Sequence, residues 1–497
     1  MRRSEIRDGV IKNLLEKVTR RNYANYLLKI KLIKLRGFQD IPVSFDFPVT
    51  ALVGPNGGGK TTILGAAAIA YDSMPPRRFF SKSGSFDKGM LNWKIEYDII
   101  ERSINRNDSF KRTASFTSKK WSRDAVSRDV ALFGVSRTVP ANERKELQKC
   151  ATNTFSISPS RIESLRDSVI TAVGRILGKD ISAYSHLRVD SSGRVSLLTG
   201  TTADGTIYSE FHFGAGESSV IRMVMQIESL GDGALILIEE IENGLHPLAT
   251  TRMVEYLVNV AERKNTQAIF TTHSNDALAP LPPQAIWAAV NGNVYQGKLD
   301  IAALRAIAGQ IDAELAIFCE DTFAEAWLRT ILRSRSDIAI EGIEIHAMLG
   351  DGTAVKMNKN HNIDPAARFK SVCIVDGDSQ QSTSSAEKVY RLPGDAPEAY
   401  IFDKVLEKAE SKGAILAVRL LQTFESAETV LAILREIRRT NVDTHVIFSQ
   451  IGLKLGLVPE STVRDAFLAT WVEAYPEECA TILNAIDALL PRLHHEE

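Results

Sequence analysis

Cysteine is scarce in this sequence: Cys150, Cys319, Cys373 and Cys479 are the only four in 497 residues, with no CxxC pair and no metal-ligand spacing. That excludes a disulfide-stapled scaffold and a paired-cysteine zinc site, and it suits reduced thiols in a cytosol. Charge of one sign is lacking too. Sixty Lys and Arg against 61 Asp and Glu leave a net charge of −1, so nucleic-acid binding through bulk charge is excluded and would have to rest on local patches. No stretch is long and apolar enough to span a bilayer. The basic start MRRSEIRDGVIKNLLEKVTRR lacks the apolar segment of a signal peptide. No targeting segment, no membrane partner and a cytoplasmic location are the expectations. Internal repeats and low-complexity segments are absent.

What is present suits two or three domains, with 44% hydrophobic residues to build their cores. Ile6, Val10, Leu14, Leu15 and Val18 recur at helical spacing, which reads as a packing helix or, alternatively, a basic arm. LLKIKLIKLRGF alternates like a strand, and SFDFPVTALVG reads as a second strand pair. LNWKIEYDIIERS and SFKRTASFTSKKW read as paired strands around NRND. Residues 159–177 are expected to be helical, and RVSLLTG, TIYSEFHFG, ALILIEE and QAIFTTHS to be strands. PPRRFFSKSGSFDKG reads as an exposed loop, and ALAPLPPQ as a linker. A new βα pattern begins near Asp312, and helical patterning dominates beyond residue 402. The expected division is a helical extension over 1–27, a first domain over 28–305, a second over 312–402 and a helical region over 403–497.

GPNGGGKT, from Gly54 to Thr61, fits G-x-x-x-x-G-K-[ST] and stands between a strand pattern and a helix pattern. Glycines at Gly57, Gly58 and Gly59 let backbone N–H groups curl around a phosphate, with Asn56 and Thr62 flanking the loop. Lys60 neutralises the β- and γ-phosphates, the Thr61 hydroxyl can ligate Mg²⁺, and the helix N-terminus favours the anion. LILIEE is a buried strand pattern ending in Glu239 and Glu240. One carboxylate there can hold Mg²⁺ and the next can polarise the attacking water. TTHS ends another apolar strand, from which His273 can sense the γ-phosphate. FGAGESSV opens a helix whose N–H groups, around Gly214 and Gly216, can meet a phosphate supplied by a second subunit.

GPNGGGKTT, FGAGE, LILIEEIENGLHP and TTHS, in this order, resemble the ABC-type ATPase head of SMC-like and OLD-family proteins over about residues 28–290. The resemblance implies a Walker A at Gly54–Thr62, a signature motif at Gly214–Glu217 and a Walker B ending at Glu239 and Glu240. It also implies a D-loop around Glu242–His246, a switch histidine at His273, and ATP and Mg²⁺ as cofactors. Two heads would sandwich two ATP molecules, with Glu240 as the catalytic base. The sequence departs from that pattern in its Glu-Glu pair where Asp-Glu is usual, in Gly214 where a serine often sits, and in having no glutamine between Thr62 and Gln148. No long heptad insert separates Walker A from the signature, so the expectation is a compact head.

Further along, Glu320 ends one apolar run, and Asp376 and Asp378 end another. Strand ends of an open parallel sheet converge on one crevice, and residues i and i+2 point to one side. Glu320, Asp376 and Asp378 can therefore form one Mg²⁺ site or, alternatively, an acidic strand edge. Glu followed by DxD, with LPGDAPEAYIF after it, resembles the Toprim-like domain of OLD-family nucleases over about residues 312–402. That family carries a second acid where Ala324 stands here and a glycine where Asp321 stands, with Asp321 or Glu325 as substitutes. The fold class expected for the whole is α/β: an ABC-type P-loop ATPase head, a Toprim-like parallel βα domain and a helical C-terminal region.

Arg106, Lys111, Arg112, Lys119, Lys120 and Arg123, interleaved with Phe110, Phe116 and Trp121, suit a nucleic-acid strand or the charged edge of a hairpin. Three functional readings follow. The first resembles the ATPase subunits of Septu-type antiphage systems, whose nucleotide state controls an HNH nuclease partner. The second is a self-contained OLD-like nuclease. The third is an SMC-like DNA-repair ATPase.

Overall fold

The computed structural model describes residues 5–82, 90–152, 157–190, 195–202, 205–290, 292–297, 313–348, 350–363 and 369–493. The chain divides into two compact units, Met1–Ile301 and Ala302–Glu497. The expected boundary between 305 and 312 and part of the expected loop at 75–89 lie outside the described residues.

In the first unit, α1 (Asp8–Thr19) buries Leu14 and Val18, while Lys17 stands 4.9 Å over the Tyr23 ring. Five strands form an antiparallel sheet in the order β2 (Phe38–Ser44), β1 (Asn25–Leu35), β4 (Trp93–Glu101), β5 (Phe110–Thr117), β6 (Lys120–Arg123). Alternation along β1 sorts its side chains: Leu27, Ile30, Leu32 and Leu35 are buried, while Lys29 and Lys34 are exposed and Lys31 is half-exposed. That is how an antiparallel sheet faces water on one side.

A second sheet contains β7 (Val130–Phe133), β12 (Leu235–Ile238), β13 (Gln267–Thr272), β3 (Val49–Val53) and β14 (Ile286–Val290), all parallel, with β15 (Asn293–Gln296) antiparallel at the edge. VTALV, LILI, QAIFTT and IWAAV are buried at every residue, the mark of parallel strands covered on both faces. Helix α2 (Lys60–Ala68) is buried along Thr62–Ala68. It joins the two sheets in one core with Leu52, Leu235, Leu237 and Ile269. Strands β8 (Ile162–Ser164), β9 (Ser185–Arg188), β10 (Ser196–Thr201) and β11 (Ile207–Ser209) form a small antiparallel sheet. The longer helices of the unit are α3 (Asp167–Leu177), α4 (Ala215–Ser229) and α5 (Pro247–Lys264).

Three local expectations are corrected. Residues 159–177 are helical only from Asp167, because Pro159–Arg161 is a single 3-10 turn and Ile162–Ser164 pairs with β9. SFDF is not a strand of its own: β2 ends at Ser44 and pairs with β1, while β3 enters the other sheet. TIYSEFHFG is a strand only over Ile207–Ser209, followed by a 3-10 turn at Glu210–His212. The basic hairpin also turns its aromatics inward. Phe116 and Trp121 lie 5.4 Å apart, and both pack on Trp93, with Trp121 also on Phe80. Arg123 donates to the carbonyls of Ile69, Tyr71 and Met74. Phe116 is core, and Trp121 packs half-buried against it.

In the second unit, β17 (Ile343–Ala347), β16 (Leu315–Cys319), β18 (Lys370–Val375) and β19 (Val389–Arg391) form an all-parallel sheet in that order. Helix α6 (Thr322–Leu332) follows β16 and α7 (Asp351–Ile363) follows β17. The helices α8 (Pro397–Glu407), α9 (Ala409–Arg419), α10 (Ala427–Thr440), α11 (Ile447–Lys454), α12 (Glu460–Ala474) and α13 (Pro476–Ile486) come after the sheet. One core runs from Leu315 to Leu490, with Trp327 edge-on to Trp471 at 5.2 Å and Phe402 stacked on Phe467 at 5.3 Å. Among the described residues, no helix is long and apolar enough to cross a membrane.

Candidate nucleotide site and acidic crevice

The loop after β3 turns sharply because glycine allows it. Gly57 and Gly59 hold φ of +79° and +102°. A Cβ at Gly58 would lie 2.4 Å from the Ala289 carbonyl oxygen, and one at Gly59 2.3 Å from the Phe38 ring. Helix α2 then starts at Lys60 with no side-chain cap, and first-turn N–H groups have no intrahelical acceptor. The Lys60 ammonium donates to the carbonyls of Gly54 at 2.8 Å and Pro55 at 2.9 Å, and the residue is 7% exposed. Burial lowers its pKa to about 8, against the raising effect of Glu240 and Glu242. A buried cation so held suits an anionic group such as a phosphate.

Adjacent strand ends bring up the acids. Glu239 and Glu240 follow β12, and the Glu239 N–H donates to the Phe133 carbonyl at 2.9 Å. Glu240 sits at φ +46°, and its N–H donates to Thr271 Oγ1 at 2.8 Å. Glu242 accepts from the Thr272 hydroxyl at 2.7 Å and the His273 N–H at 2.6 Å, tying the turn after β12 to the end of β13. Asn56, Gly57, Gly58, Gly59, Lys60, Thr61, Thr62, Glu239, Glu240 and His273 thus surround one cavity of about 310 Å³. The Thr61 hydroxyl and the Glu239 carboxylate are hard oxygen donors of the kind Mg²⁺ takes, so the residues fit the ion.

The cavity has walls that sequence reasoning missed: Arg36, Gly37 and Phe38 from the β1–β2 turn, Val135, Thr271 and Gly292. Arg36 donates to the Thr62 hydroxyl at 2.8 Å and the Phe79 carbonyl at 3.0 Å, and its guanidinium lies 5.2 Å over the Phe80 ring. LLKIKLIKLRGF reads as one strand, but β1 ends at Leu35 and Arg36 and Gly37 form the turn into β2. Val135 stands in the loop after β7, where the sequence has no glutamine.

Gly214, Gly216 and Glu217 do not line this cavity. Gly214 caps α4 and has open space beside it. Gly216 presses on the turn after β12, where an added Cβ would meet the Gly244 carbonyl oxygen at 1.9 Å. Glu217 Oε1 accepts from Lys179 Nζ and the Tyr184 hydroxyl, both at 2.8 Å. Behind α4, Glu210 is 1% exposed and accepts from Arg144 at 3.0 Å, Arg222 at 2.8 Å and the Leu198 N–H at 3.0 Å.

In the second unit, one oxygen each of Glu320, Asp376 and Asp378 lies within 4.8 Å of the others. The parallel strands β16 and β18 are neighbours in register, so their ends deliver the three acids together. Gly377 must be glycine: a Cβ there would meet the Gly394 carbonyl oxygen at 1.5 Å, which explains why LPGD packs behind the acidic pair. Asp376 is 5% exposed, and Asp376 Oδ1 and Glu320 Oε2 are buried without a hydrogen-bond partner. Burial, then repulsion from neighbouring carboxylates, raises the Asp376 pKa to about 8 and raises that of Glu320. Unpaired buried carboxylate oxygens fit a divalent cation. Neither expected substitute joins them: Asp321 caps α6 by accepting from the N–H groups of Phe323 and Ala324, and Glu325 pairs with Arg329 at 2.9 Å. Ala324 is fully buried in the core.

The first unit therefore has the α/β fold and cavity of a P-loop ATPase head. Residues 100–279 match the family model described as "AAA domain, putative AbiEii toxin, Type IV TA system". The chain is 23% identical over 360 residues to Septu protein PtuA of Bacillus mycoides (strain KBAB4), covering 64% of this chain and 44% of that protein. It is 22% identical over 279 residues to Protein ea59 of Escherichia phage lambda, covering 50% of this chain and 51% of that protein. The chain thus spans about half the length of the curated relatives it matches. Among solved structures, the SMC head domain from Thermotoga maritima is similar at 13% identity and a TM-score of 0.33, covering 54% of this chain and 98% of that one. The recombination mediator protein RecF bound to ATP is similar at 10% identity and a TM-score of 0.35, covering 55% and 99%.

Proposed function

We propose that this chain binds and hydrolyses ATP in an ABC/SMC-type head, and that its nucleotide state controls a nuclease partner in a bacterial antiphage system. The observation that carries the first part is the single cavity that gathers the glycine loop, the buried Lys60, the acidic pair and His273. In this reading Lys60 holds the β- and γ-phosphates, Thr61 and Glu239 hold Mg²⁺, Glu240 accepts the proton of the attacking water and His273 senses the γ-phosphate. The bound Mg²⁺ would neutralise charge on the phosphates. The helix start at Gly214 has open space beside it and, with Gly216, lies outside the chain's own cavity, which suits a second head docking there as a dimer. The match to a Septu protein supports the defence role, and the partner proposed here is an HNH nuclease.

The second unit supports a Toprim-like reading through Glu320, Asp376 and Asp378. With Ala324 buried where the family has an acid, we assign it one cation site and a scaffold role. The unpaired oxygens of the crevice favour one further reading, an OLD-like nuclease acting on DNA. Plasmid nicking by the pure chain with Mg²⁺ or Mn²⁺, beside Glu320→Ala/Asp376→Ala, separates the two. The scaffold reading expects no nicking and phage protection that survives the double variant. Cleavage lost in the double variant would make the chain the nuclease.

A further inference from the structure

We propose that Arg137 is a positioning residue for ATP hydrolysis, holding the backbone of Glu239 and Glu240 so that the Glu240 carboxylate faces the nucleotide. The inference rests on the reading of Glu240 as the base. Strands β7 and β12 are parallel with Phe133 beside Ile238, so the turns after them are neighbours. The turn after β7 is one 3-10 turn, Val135–Thr138. From it, Arg137 Nη1 donates to the Glu239 carbonyl at 2.6 Å and the Gly134 carbonyl at 3.1 Å, and Nη2 donates to the Glu240 carbonyl at 2.5 Å. A planar guanidinium can grip two successive carbonyls at a fixed angle, and an ammonium cannot.

The grip falls where the backbone needs one. Glu240 is a side-chain-bearing residue at φ +46°, a conformation that persists only where surroundings over-determine it. Its N–H is fixed by Thr271 Oγ1, and its carbonyl accepts from Arg137 and from the Asn243 N–H at 2.9 Å. Arg137 itself does not line the nucleotide cavity, whereas its neighbour Val135 and both glutamates do. It therefore acts through Glu240. The same turn meets the next segment, because Asn243 Nδ2 donates to Thr138 Oγ1 at 3.1 Å. A shift in this turn would be felt at the base.

The test uses the full chain and four variants: Arg137→Ala, Arg137→Lys, Glu240→Gln and the double Arg137→Ala/Glu240→Gln. Steady-state ATP turnover is measured beside equilibrium binding of a fluorescent ATP analogue. A base displaced by about 1 Å predicts a kcat loss on the order of 10²-fold for Arg137→Ala, with nucleotide affinity unchanged. Arg137→Lys, keeping charge and one donor, recovers part of the rate. The double variant is no slower than Glu240→Gln, since both changes act on one group. Parent kcat in Arg137→Ala, a loss confined to affinity, or an additional loss in the double variant would each overturn the proposal. Should Arg137→Ala not fold, Arg137→Lys decides alone: parent kcat sinks the proposal, and reduced kcat at parent affinity upholds it. Parent turnover in Glu240→Gln would instead remove the base assignment itself.

Discussion

Replacing Gly216 with alanine adds one methyl group at the contact between α4 and the turn after β12. The added Cβ would stand 1.9 Å from the Gly244 carbonyl oxygen, where real Cβ atoms stay beyond 3.0 Å. The obstacle is backbone, so no rotamer relieves it, and one segment must retreat by about 1 Å at a cost of about 1–3 kcal/mol. Gly244 is itself at φ +77° and lies beside Thr138, so the displaced turn is the one that follows Glu240. Lys60 and the glycine loop belong to other elements and stay in place. Thermal unfolding should therefore fall by several degrees, and ATP turnover should drop on the order of 10²-fold, while a fluorescent ATP analogue still binds at close to parent affinity. Parent stability together with parent turnover would refute the contact. Loss of nucleotide binding would mean that the two segments are not independent of the glycine loop.

Glu210→Gln removes the anion shared by Arg144 and Arg222 in a buried network. The expected cost is about 3–5 kcal/mol, read as a fall in Tm on the order of 10 °C. Its neighbours hold the Glu210 carboxyl below its ordinary range despite burial, so the stability it adds is present above that range and is lost as pH falls through the depressed value. Lys60→Ala should abolish ATP binding. In the parent, Lys60 titrates at about 8 without phosphate, so ATP affinity should decline as pH rises through 8 and binding near pH 8 should take up a proton, seen by calorimetry in buffers of different ionisation enthalpy. In the second unit, Asp376 titrates at about 8 against its ordinary 3.8. The folded chain then holds a proton that the unfolded chain has lost, so cation-free stability should fall as pH rises from about 4 to 8. Mg²⁺ or Mn²⁺ should raise Tm most at and above pH 8, and Glu320→Gln/Asp376→Asn should remove that gain.

Much of the glycine-loop cavity was legible because a P-loop is local: eight consecutive residues carry the turn, the cation and the hydroxyl. Glu239, Glu240 and His273 were legible because each follows a run of apolar residues, and parallel strand ends meet at one edge of a sheet. The same logic placed Glu320 beside Asp376 and Asp378. Arg36 and Arg137 were not legible, since each works by reaching another segment, and sequence spacing carries no record of that reach. Periodicity also misled where propensity and packing part. Residues 159–166 look continuous with α3, but Ile162–Ser164 is drawn into pairing with β9. Phe116 and Trp121 alternate with basic residues as a nucleic-acid surface would, yet the alternation only sorts one face into the core. Gly216 was legible as part of a glycine-rich helix start, but its closeness to Gly244 is a tertiary fact.

In the proposed chemistry this chain turns over ATP with Glu240 as the base. The measurement that tests it most directly is single-turnover hydrolysis of radiolabelled ATP by the full chain with Mg²⁺, parent beside Glu240→Gln. The parent should convert bound ATP to ADP and phosphate, while Glu240→Gln should bind ATP and retain it uncleaved. Hydrolysis by Glu240→Gln at the parent rate, or no hydrolysis by the parent at all, would contradict it.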